Sequence, residues 1–229
     1  MRKSETLAAR KRSIVFIAIL LAIIAIVLIS LFYLFGIGNQ PKNTIRVACV
    51  GDSITEGTKY PYDLAALLGT NYSVSNFGVG GASVSRGSEK AYMNQPEFEE
   101  AKDSLPDIVI IMLGTNDAPL IPTEHILNFT ADYEELIGEF KAVTSKPEIW
   151  LVKPPPIFSN GTGLSPSYFV QEVIPRIEQV ANETSTPLID VYSPLVNHPE
   201  YFSDGVHPNG EGSEIVATTI FKAMTTELN

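Results

Sequence analysis

The stretch IRVACVGDSIT, residues 45–55, decides how this chain folds. Its β-branched and small apolar residues predict a strand that is buried on both faces of a sheet. Gly51 ends the strand, and Asp52 and Ser53 follow at the turn. Ligands of open α/β sheets bind at the carboxyl ends of the strands, so the hydroxyl of Ser53 is a candidate nucleophile. The alternative interpretation is that Ser53 only caps the helix that follows.

Strand and helix patterns alternate along the chain after this stretch. Short apolar runs predict four more strands, at residues 72–77, 107–113, 148–152 and 187–191. Helical patterns follow them, at residues 61–68, 97–104, 123–143, 165–183 and 211–228. Thr123 is a candidate N-cap of the third helix, and Pro175 predicts a kink in the fourth. We therefore predict an α/β domain with one five-stranded parallel sheet, covered on both faces and ordered 2-1-3-4-5.

Charge is distributed unevenly along the chain. The 229 residues include 16 Lys and Arg against 26 Asp and Glu, a net charge of −10. The first 39 residues hold five of the basic residues and one acid, which leaves the remainder with a net charge of −14. A domain this acidic is poorly suited to nucleic acid or to anionic lipid head groups. Cys49 is the only cysteine, which excludes an intrachain disulfide, and its place in the first strand predicts a buried side chain.

The N-terminal segment has the pattern of a membrane anchor. Residues 14–37 carry no charge and, as a helix, would extend about 36 Å, enough to cross a ~30 Å hydrocarbon core. The run is longer than the apolar region of a signal peptide and lacks a small-residue cleavage motif, so we predict an uncleaved transmembrane signal anchor rather than a cleaved signal. Basic residues within residues 1–13 predict a cytoplasmic N-terminus, with residues 38–43 linking the span to an extracytoplasmic domain at residues 44–229.

Polar residues that can carry chemistry collect in four short segments. Three of them follow predicted strands, at residues 52–53, 78–83 and 114–117, and the fourth, residues 204–208, precedes the last helix. In a parallel sheet the first three meet at one edge, and the last helix must bring the fourth to the same edge. A serine nucleophile needs a neighbouring base, which a third group orients. His207 is the natural base, and Asp204 can hold its far ring nitrogen.

An attacked ester also needs donors for the negative charge that develops on its carbonyl oxygen. The backbone N–H groups of Ser53 and of the glycine-rich segment, together with the side-chain amide of Asn116, can supply them. We interpret Asp52 and Asp117 as residues that support their turns. The remaining histidines, His125 and His198, have no partner pattern and are expected at the surface.

The four segments resemble the blocks of the SGNH, or GDSL-type, hydrolases. These are GDSIT at residues 51–55, NFGVGG at 76–81, GTND at 114–117 and DGVHP at 204–208, in the order of that family. The resemblance covers residues 44–229 and not the N-terminal anchor. It implies a flavodoxin-like three-layer α/β/α sandwich and an esterase or lipase that works without a metal or another cofactor.

The resemblance also implies a role for each matching position. Ser53 is the nucleophile, Asp204 and His207 complete the triad, and Asn116 is an oxyanion-hole side chain. Gly81 is the oxyanion-hole glycine if the second block is aligned on its last glycine, with Gly80 and Gly78 as alternatives. Ala82 stands where many members of the family carry a polar residue, so the resemblance does not specify the substrate.

Two other classes of protein compete with this interpretation. A metal-dependent phosphoesterase would need several His and carboxylate ligands, and the chain has only three histidines. A membrane-anchored binding module could retain the fold without catalysis, but the intact set Ser53, Asn116, Asp204 and His207 argues against it.

Residues 154–167 are expected to form a polar, glycine-rich loop beside the site. That favours small acyl groups, such as acetyl, on a carbohydrate or glycan ester over long-chain lipids. The alternative is a lysophospholipase or lipase, which a membrane anchor would suit. Four N-x-[S/T] patterns could carry glycans on an exported domain, and they begin at Asn71, Asn128, Asn160 and Asn182.

Overall fold

The computed structural model describes residues 44–158 and 163–227. The predicted anchor at residues 14–37 lies outside the described residues, as do the predicted cytoplasmic segment, the linker and Asn160. Within the described part of the chain, every helix is too short or too polar to cross a bilayer. The described residues belong to one folding unit that starts at Thr44.

Five strands form one parallel sheet in the described part of the chain, and its order β2-β1-β3-β4-β5 confirms the predicted topology. The strands are β1 (Ile45–Gly51), β2 (Tyr72–Gly78), β3 (Ile108–Met112), β4 (Glu148–Lys153) and β5 (Leu188–Asp190). All five residues of β3 are buried, as expected for a central strand that is covered on both faces.

The register of the sheet aligns the ends of its first three strands. Gly51 at the end of β1 pairs with Gly78 on one side and with Met112 on the other. The chain therefore leaves β1, β2 and β3 at the same level of the sheet edge. The segments after these strands are neighbours from their first residue onward, which places them as predicted.

Helices cover both faces of the sheet. They are α1 (Ser53–Gly57), α2 (Tyr60–Leu68), α3 (Pro96–Asp103), α4 (Phe129–Ala142), α5 (Ile174–Thr184), α6 (Tyr192–Leu195) and α7 (Gly210–Glu227). Single turns of 3₁₀ helix occur at Tyr92–Asn94, Thr115–Asp117 and Pro199–Tyr201.

Side chains that alternate along each strand pack into two separate hydrophobic cores, one on each face of the sheet. On one face, Val47 and Cys49 of β1 pack with residues of α2, α6 and α7, including the buried Leu64 and Ile220. On the other face, Ala48 and Val50 belong to the core formed with α3, α4 and α5. This is the predicted three-layer α/β/α arrangement. Cys49 is buried as expected, and its burial raises the pKa of the thiol to about 12.

The start of the third predicted helix, at residues 123–143, differs from the prediction. Residues Glu124–Asn128 form a 3₁₀ helix, and the α-helix begins only at Phe129. Thr123 precedes the 3₁₀ helix, and its side chain makes no capping hydrogen bond. The sequence pattern did not reveal this change of pitch, because residues 124–128 lie largely exposed and are not fixed by the core.

The fourth predicted helix is interrupted just before Pro175. A single turn at Pro166–Tyr168 leads into a π-helical turn at Phe169–Val173, and α5 follows. Proline cannot donate a backbone hydrogen bond, so the irregular turn lies immediately before it rather than a simple bend.

The prediction of a polar loop after β4 is wrong for its first residues. Pro154, Pro155, Pro156 and Ile157 are buried, and the ring of Phe158 packs edge-on against Phe202 at a centroid distance of 4.9 Å. Three consecutive prolines carry no N–H groups, so this stretch can be buried without leaving donors unpaired.

Candidate active site

Ser53 is the first residue of helix α1, directly after the end of β1. The cap of this helix is Asp52, whose Oδ1 accepts a hydrogen bond of 2.9 Å from the N–H of Ile54. The alternative interpretation of Ser53 as the helix cap is therefore wrong. The hydroxyl of Ser53 remains free to interact outside the helix.

His207 reaches Ser53 from the other end of the domain. The ring Nε2 lies 2.8 Å from Ser53 Oγ, although 154 positions separate the two residues in the chain. This is hydrogen-bond distance, which a nucleophile and its base require. The structure brings together the first and fourth predicted segments at one point of the sheet edge.

Asp204 holds His207 within a single turn. Its Oδ2 lies 2.7 Å from His207 Nδ1, and its Oδ1 accepts the backbone N–H groups of Val206 at 2.9 Å and His207 at 2.8 Å. With Nδ1–H donating to the carboxylate, Nε2 presents its lone pair to the hydroxyl of Ser53. One carboxylate thus fixes both the backbone and the ring of His207.

The same hydrogen bonds set the protonation state of Asp204. Partial burial alone would raise the pKa of its carboxyl group, but the hydrogen bonds from His207 and Val206 outweigh it and lower the pKa to about 2. Asp204 is therefore an anion at any pH near neutrality. It can stabilise a positive charge on the imidazole.

Asn116 lies in the 3₁₀ turn Thr115–Asp117, which follows β3. Its Nδ2 donates one hydrogen bond of 2.9 Å to the carbonyl of Ala82. An amide nitrogen carries two hydrogens, so the second remains available to a ligand. This bond also ties the third predicted segment to the second.

Asp117 holds the loop that directly follows the second segment. Its two carboxylate oxygens accept the backbone N–H groups of Val84 and Ser85, each at 2.9 Å. Burial raises the pKa of Asp117 to about 6, and the hydrogen bonds from Ser85 and Val84 oppose that rise. Asp117 therefore has a supporting role, but the backbone that its carboxylate holds belongs to residues 84 and 85 rather than to its own turn, which was the prediction from the sequence.

The three glycines of the second segment differ in what their N–H groups do. Gly78 N–H already donates to Asn76 Oδ1 at 2.9 Å, so Gly78 is excluded as an oxyanion donor in this arrangement. In the described part of the chain, the N–H groups of Gly80 and Gly81 donate no hydrogen bond. Gly81 has φ of +74°, a conformation that favours glycine. Both Gly80 and Gly81 remain candidates.

Asn76 is a supporting residue that sequence reasoning did not single out. Besides accepting the N–H of Gly78, its Nδ2 donates at 2.7 Å to the carbonyl of Thr55 in α1. One side chain therefore locks the end of β2 onto the helix that carries Ser53. The asparagine at the start of NFGVGG was the available signal, but its partner becomes known only from the fold.

Asp52 is buried beneath the site, with 1% of its surface exposed. Burial raises the pKa of its carboxyl to about 6, and the hydrogen bond from the Ile54 N–H and the nearby Thr115 hydroxyl oppose this rise. Its Oδ2 has no partner of hydrogen-bond geometry among the described residues. Asp52 therefore supports the turn through Oδ1 alone.

A cavity of about 300 Å³ opens beside Asn116. Its walls come from residues 83–89 and from residues 116–126, and His125 is one of the lining side chains. The sequence placed His125 at the surface without a role, and it is indeed exposed. A second cavity, of about 480 Å³, lies along α7 and contains none of the predicted site residues.

Residues 44–158 and 163–227 contain no group of three or more His, Cys, Asp or Glu side chains arranged to hold a metal ion. The carboxylates of Asp52, Asp117 and Asp204 are engaged in hydrogen bonds to backbone N–H groups and to His207. The chemistry that this arrangement offers is proton transfer and nucleophilic attack by a serine.

Comparison with known proteins gives a family match over most of this domain. Residues 49–215 match the GDSL-like Lipase/Acylhydrolase family. The matched range includes all four predicted segments and ends within α7.

Individual relatives agree with that match. An acetylxylan esterase of Xylanibacter ruminicola is 30% identical over 218 residues, 84% of this chain, and the chain spans 45% of that protein's length. A solved GDSL-like lipase from Bacteroides thetaiotaomicron VPI-5482 is 27% identical, with a TM-score of 0.63 over 82% of this chain and 92% of that one. A lipase/acylhydrolase from Enterococcus faecalis, at 24% identity and a TM-score of 0.61, covers 80% of this chain and 96% of its own and shares the fold.

Proposed function

Because the chain belongs to the GDSL-like lipase/acylhydrolase family, a family of carboxylic ester hydrolases, we propose that it is a serine esterase that removes small acyl groups from carbohydrate esters. The observation that carries the proposal is the continuous chain of hydrogen-bonded atoms from Ser53 Oγ through the His207 ring to Asp204. Such a chain activates a hydroxyl that is otherwise a weak nucleophile.

The first half of the reaction forms an acyl-enzyme. Ser53 Oγ attacks the ester carbonyl carbon while its proton passes to His207 Nε2, 2.8 Å away. The imidazolium that results is stabilised by the anionic Asp204 at Nδ1. His207 then gives the proton to the alkoxide leaving group as the tetrahedral intermediate collapses, and the alcohol departs.

The oxyanion of the tetrahedral intermediate needs donors that are already in position. The free hydrogen of Asn116 Nδ2 is one donor, and the N–H groups of Ser53 and Gly81 are the others in this proposal. Asn116 is held by its bond to Ala82 and Gly81 lies in the adjoining segment, so the donors do not need to reorganise during the reaction.

The second half of the reaction releases the acid. Water loses a proton to His207 Nε2 and attacks the acyl carbon, which forms a second tetrahedral intermediate on the same donors. Its collapse returns the proton from His207 to Ser53 Oγ and liberates the carboxylic acid. Each proton that leaves a nucleophile is returned to a leaving oxygen, so the enzyme ends in its starting state.

The relative from Xylanibacter ruminicola supports an acetyl ester of a carbohydrate as the substrate class. The cavity beside Asn116 supports it as well, because Ser83, Ser85, Ser88 and Thr123 are among its lining residues. Lysophospholipase or lipase activity is the alternative that a chain-length profile must exclude. Rates with p-nitrophenyl acetate, butyrate, octanoate and palmitate should fall steeply with acyl length, and a maximum at octanoate or longer would contradict the proposal.

A Ser53→Ala variant of the full-length protein tests the nucleophile. It should lower kcat for p-nitrophenyl acetate on the order of 10⁴-fold or more, by analogy with deletions in other triads. A fluorophosphonate probe should label the wild type and not this variant, which also distinguishes an esterase from an inactive binding module. Full turnover by Ser53→Ala would overturn the assignment, and loss of wild-type activity with EDTA that added metal restores would favour a metallohydrolase.

The proposal includes anchoring of the enzyme in the cell membrane, with the catalytic domain outside the cytoplasm. Its support is the uncharged run at residues 14–37 and the basic residues before it. After cell lysis and a carbonate wash, the full-length protein should remain with the membranes, and protease added to spheroplasts should digest its C-terminal domain. Recovery in the soluble fraction, or protection from the added protease, would contradict this part.

A further inference from the structure

The cavity beside Asn116 is lined by polar side chains together with some apolar surface. We propose that it holds the sugar ring that carries the scissile ester, with His125 and Glu89 as the groups that recognise its hydroxyls. The inference rests on the proposed function and assigns its alcohol side. Asn116 lines the cavity, so a ring bound there would place an ester on one of its carbons beside the oxyanion donors.

Polar side chains and apolar surface share the lining of the cavity. Hydroxyls of Ser83, Ser85, Ser88 and Thr123, the carboxylate of Glu89 and the imidazole of His125 line the cavity, with apolar surface from Pro119 and Ile126. An acyl chain in this cavity would separate these groups from water without offering them hydrogen bonds. A sugar ring supplies hydroxyls that donate and accept, and its apolar C–H groups can lie on Pro119 and Ile126.

The size of the cavity supports one ring. Its volume of about 300 Å³ lies at the lower end of the range for small-molecule sites, roughly 300–1,000 Å³. A phosphate head group is disfavoured by the negative charge of Glu89 and by the absence of any Lys or Arg from the cavity lining. The same charge distribution therefore argues against a lysophospholipid.

The wall formed by residues 83–89 is fixed before any ligand binds. Asp117 holds two of its backbone N–H groups, and Asp132 holds the N–H of Arg86 at 2.7 Å. The side chain of Arg86 forms an ion pair with Glu135 on α4, and Ser83 and Ser88 share a hydrogen bond across the loop. A preformed wall reduces the entropy that binding must overcome.

His125 is positioned by direct contact with this wall. A Cβ added at Gly87 would lie 2.5 Å from His125 Nδ1, so the ring rests against the glycine backbone. Within the described residues, neither the His125 ring nor the Glu89 carboxylate takes part in a hydrogen bond or an ion pair. Both are therefore free to bind a ligand.

The test compares two substrates on the full-length enzyme, an acetylated methyl xyloside and p-nitrophenyl acetate. The quantity measured is the ratio of the kcat/KM values for the two, because p-nitrophenyl acetate carries no sugar hydroxyls. His125→Ala and Glu89→Ala should each lower this ratio about tenfold, as expected for the loss of one good hydrogen bond. Controls outside the cavity, His198→Ala and Glu148→Ala at the exposed start of β4, should leave the ratio unchanged.

Gly87→Ala provides a second, independent test of the same contact. The added methyl group should displace the His125 ring and lower the ratio in the same direction. In a His125→Ala background, Gly87→Ala should add nothing further, because the group it displaces is already gone. Equal losses in both backgrounds would show that Gly87→Ala acts elsewhere and would contradict the proposed positioning.

A measurement of sugar binding tests the sugar site independently of the proposed esterase activity. Saturation-transfer NMR should detect methyl β-xyloside on Ser53→Ala protein, and the signal should weaken in the Ser53→Ala/His125→Ala double variant. If methyl β-xyloside binds but the wild type does not hydrolyse the acetylated xyloside, the esterase proposal is wrong and the sugar site is still supported. Turnover of the acetylated xyloside with an unchanged ratio in all three cavity variants, or no binding of the xyloside, would overturn the sugar site.

Discussion

The carboxylate of Asp204 holds His207 at two points, the ring Nδ1 and the backbone N–H, and also accepts the N–H of Val206, all between 2.7 and 2.9 Å. Orientation and charge are thus supplied by the same side chain. Asp204→Asn removes the charge and keeps the size of the side chain, so it tests the carboxylate more specifically than a truncation.

Asp204→Asn should lower kcat for p-nitrophenyl acetate roughly 10²–10⁴-fold. An amide in this position can donate to Nδ1 and so favour the tautomer whose Nε2 carries the proton, which cannot accept one from Ser53. The measurement is steady-state kinetics across pH. A variant with near wild-type kcat would show that Asp204 does not set the tautomer of His207.

The sheet was predictable because short apolar or alternating runs mark its strands, and the edge strand β2 is only partly buried whereas the central strand β3 is fully buried. Ile108–Met112 is apolar throughout and is buried throughout. The meeting of Ser53 with His207 was predictable from the four motifs and from the parallel sheet together. These are features in which local sequence and global fold agree.

Other features depend on tertiary contacts that no local pattern contains. The cavity forms only where two loops meet. The ring of His125 contacts Gly87, although the two residues are 38 positions apart in the chain. Asp52 rather than Ser53 caps α1, and both residue types are common helix caps. The burial of Pro154 to Ile157 follows from the position of β4, not from the composition of the loop.

Asn116→Ala should lower kcat roughly 10²–10³-fold, the usual cost of one oxyanion donor. The variant also loses the bond to Ala82, so a structural effect must be separated from the loss of a donor. Asn116→Asp keeps an atom of similar size but places negative charge beside the oxyanion, and it should be at least as slow. If both variants turn over near the wild-type rate, Asn116 is not an oxyanion donor.

Stability should depend on pH through Asp52. Its pKa is raised from 3.8 to about 6 in the folded protein, mainly by burial. The folded state therefore holds this proton more tightly, and the stability that the protonated form contributes is lost as pH rises from about 4 through 6. Asp52→Asn cannot ionise and keeps the acceptor for the Ile54 N–H. The free energy of unfolding of the variant, relative to wild type, should be higher at pH 8 than at pH 4.

The buried Trp150 in β4 is the only tryptophan, so its fluorescence can follow urea unfolding at each pH. Asp63→Asn is a control, since that acid lies on α2, outside the site. A difference between Asp52→Asn and wild type that does not change with pH would show that Asp52 keeps the same protonation in both states.

Two glycine substitutions should move stability in opposite directions. A Cβ at Gly78 would overlap the backbone of α1 at Thr55 and Glu56, and neither chain can yield because Asn76 ties them together. Gly78→Ala should therefore cost ~2 kcal/mol or more, as forced overlap in a packed region does. Gly138 lies exposed within α4, and a methyl group added there would have nothing within 4 Å, so Gly138→Ala should stabilise the protein by up to ~1 kcal/mol. Urea unfolding of both variants decides the point, and a stable, active Gly78→Ala protein would show that the approach of β2 to α1 is looser than these contacts require.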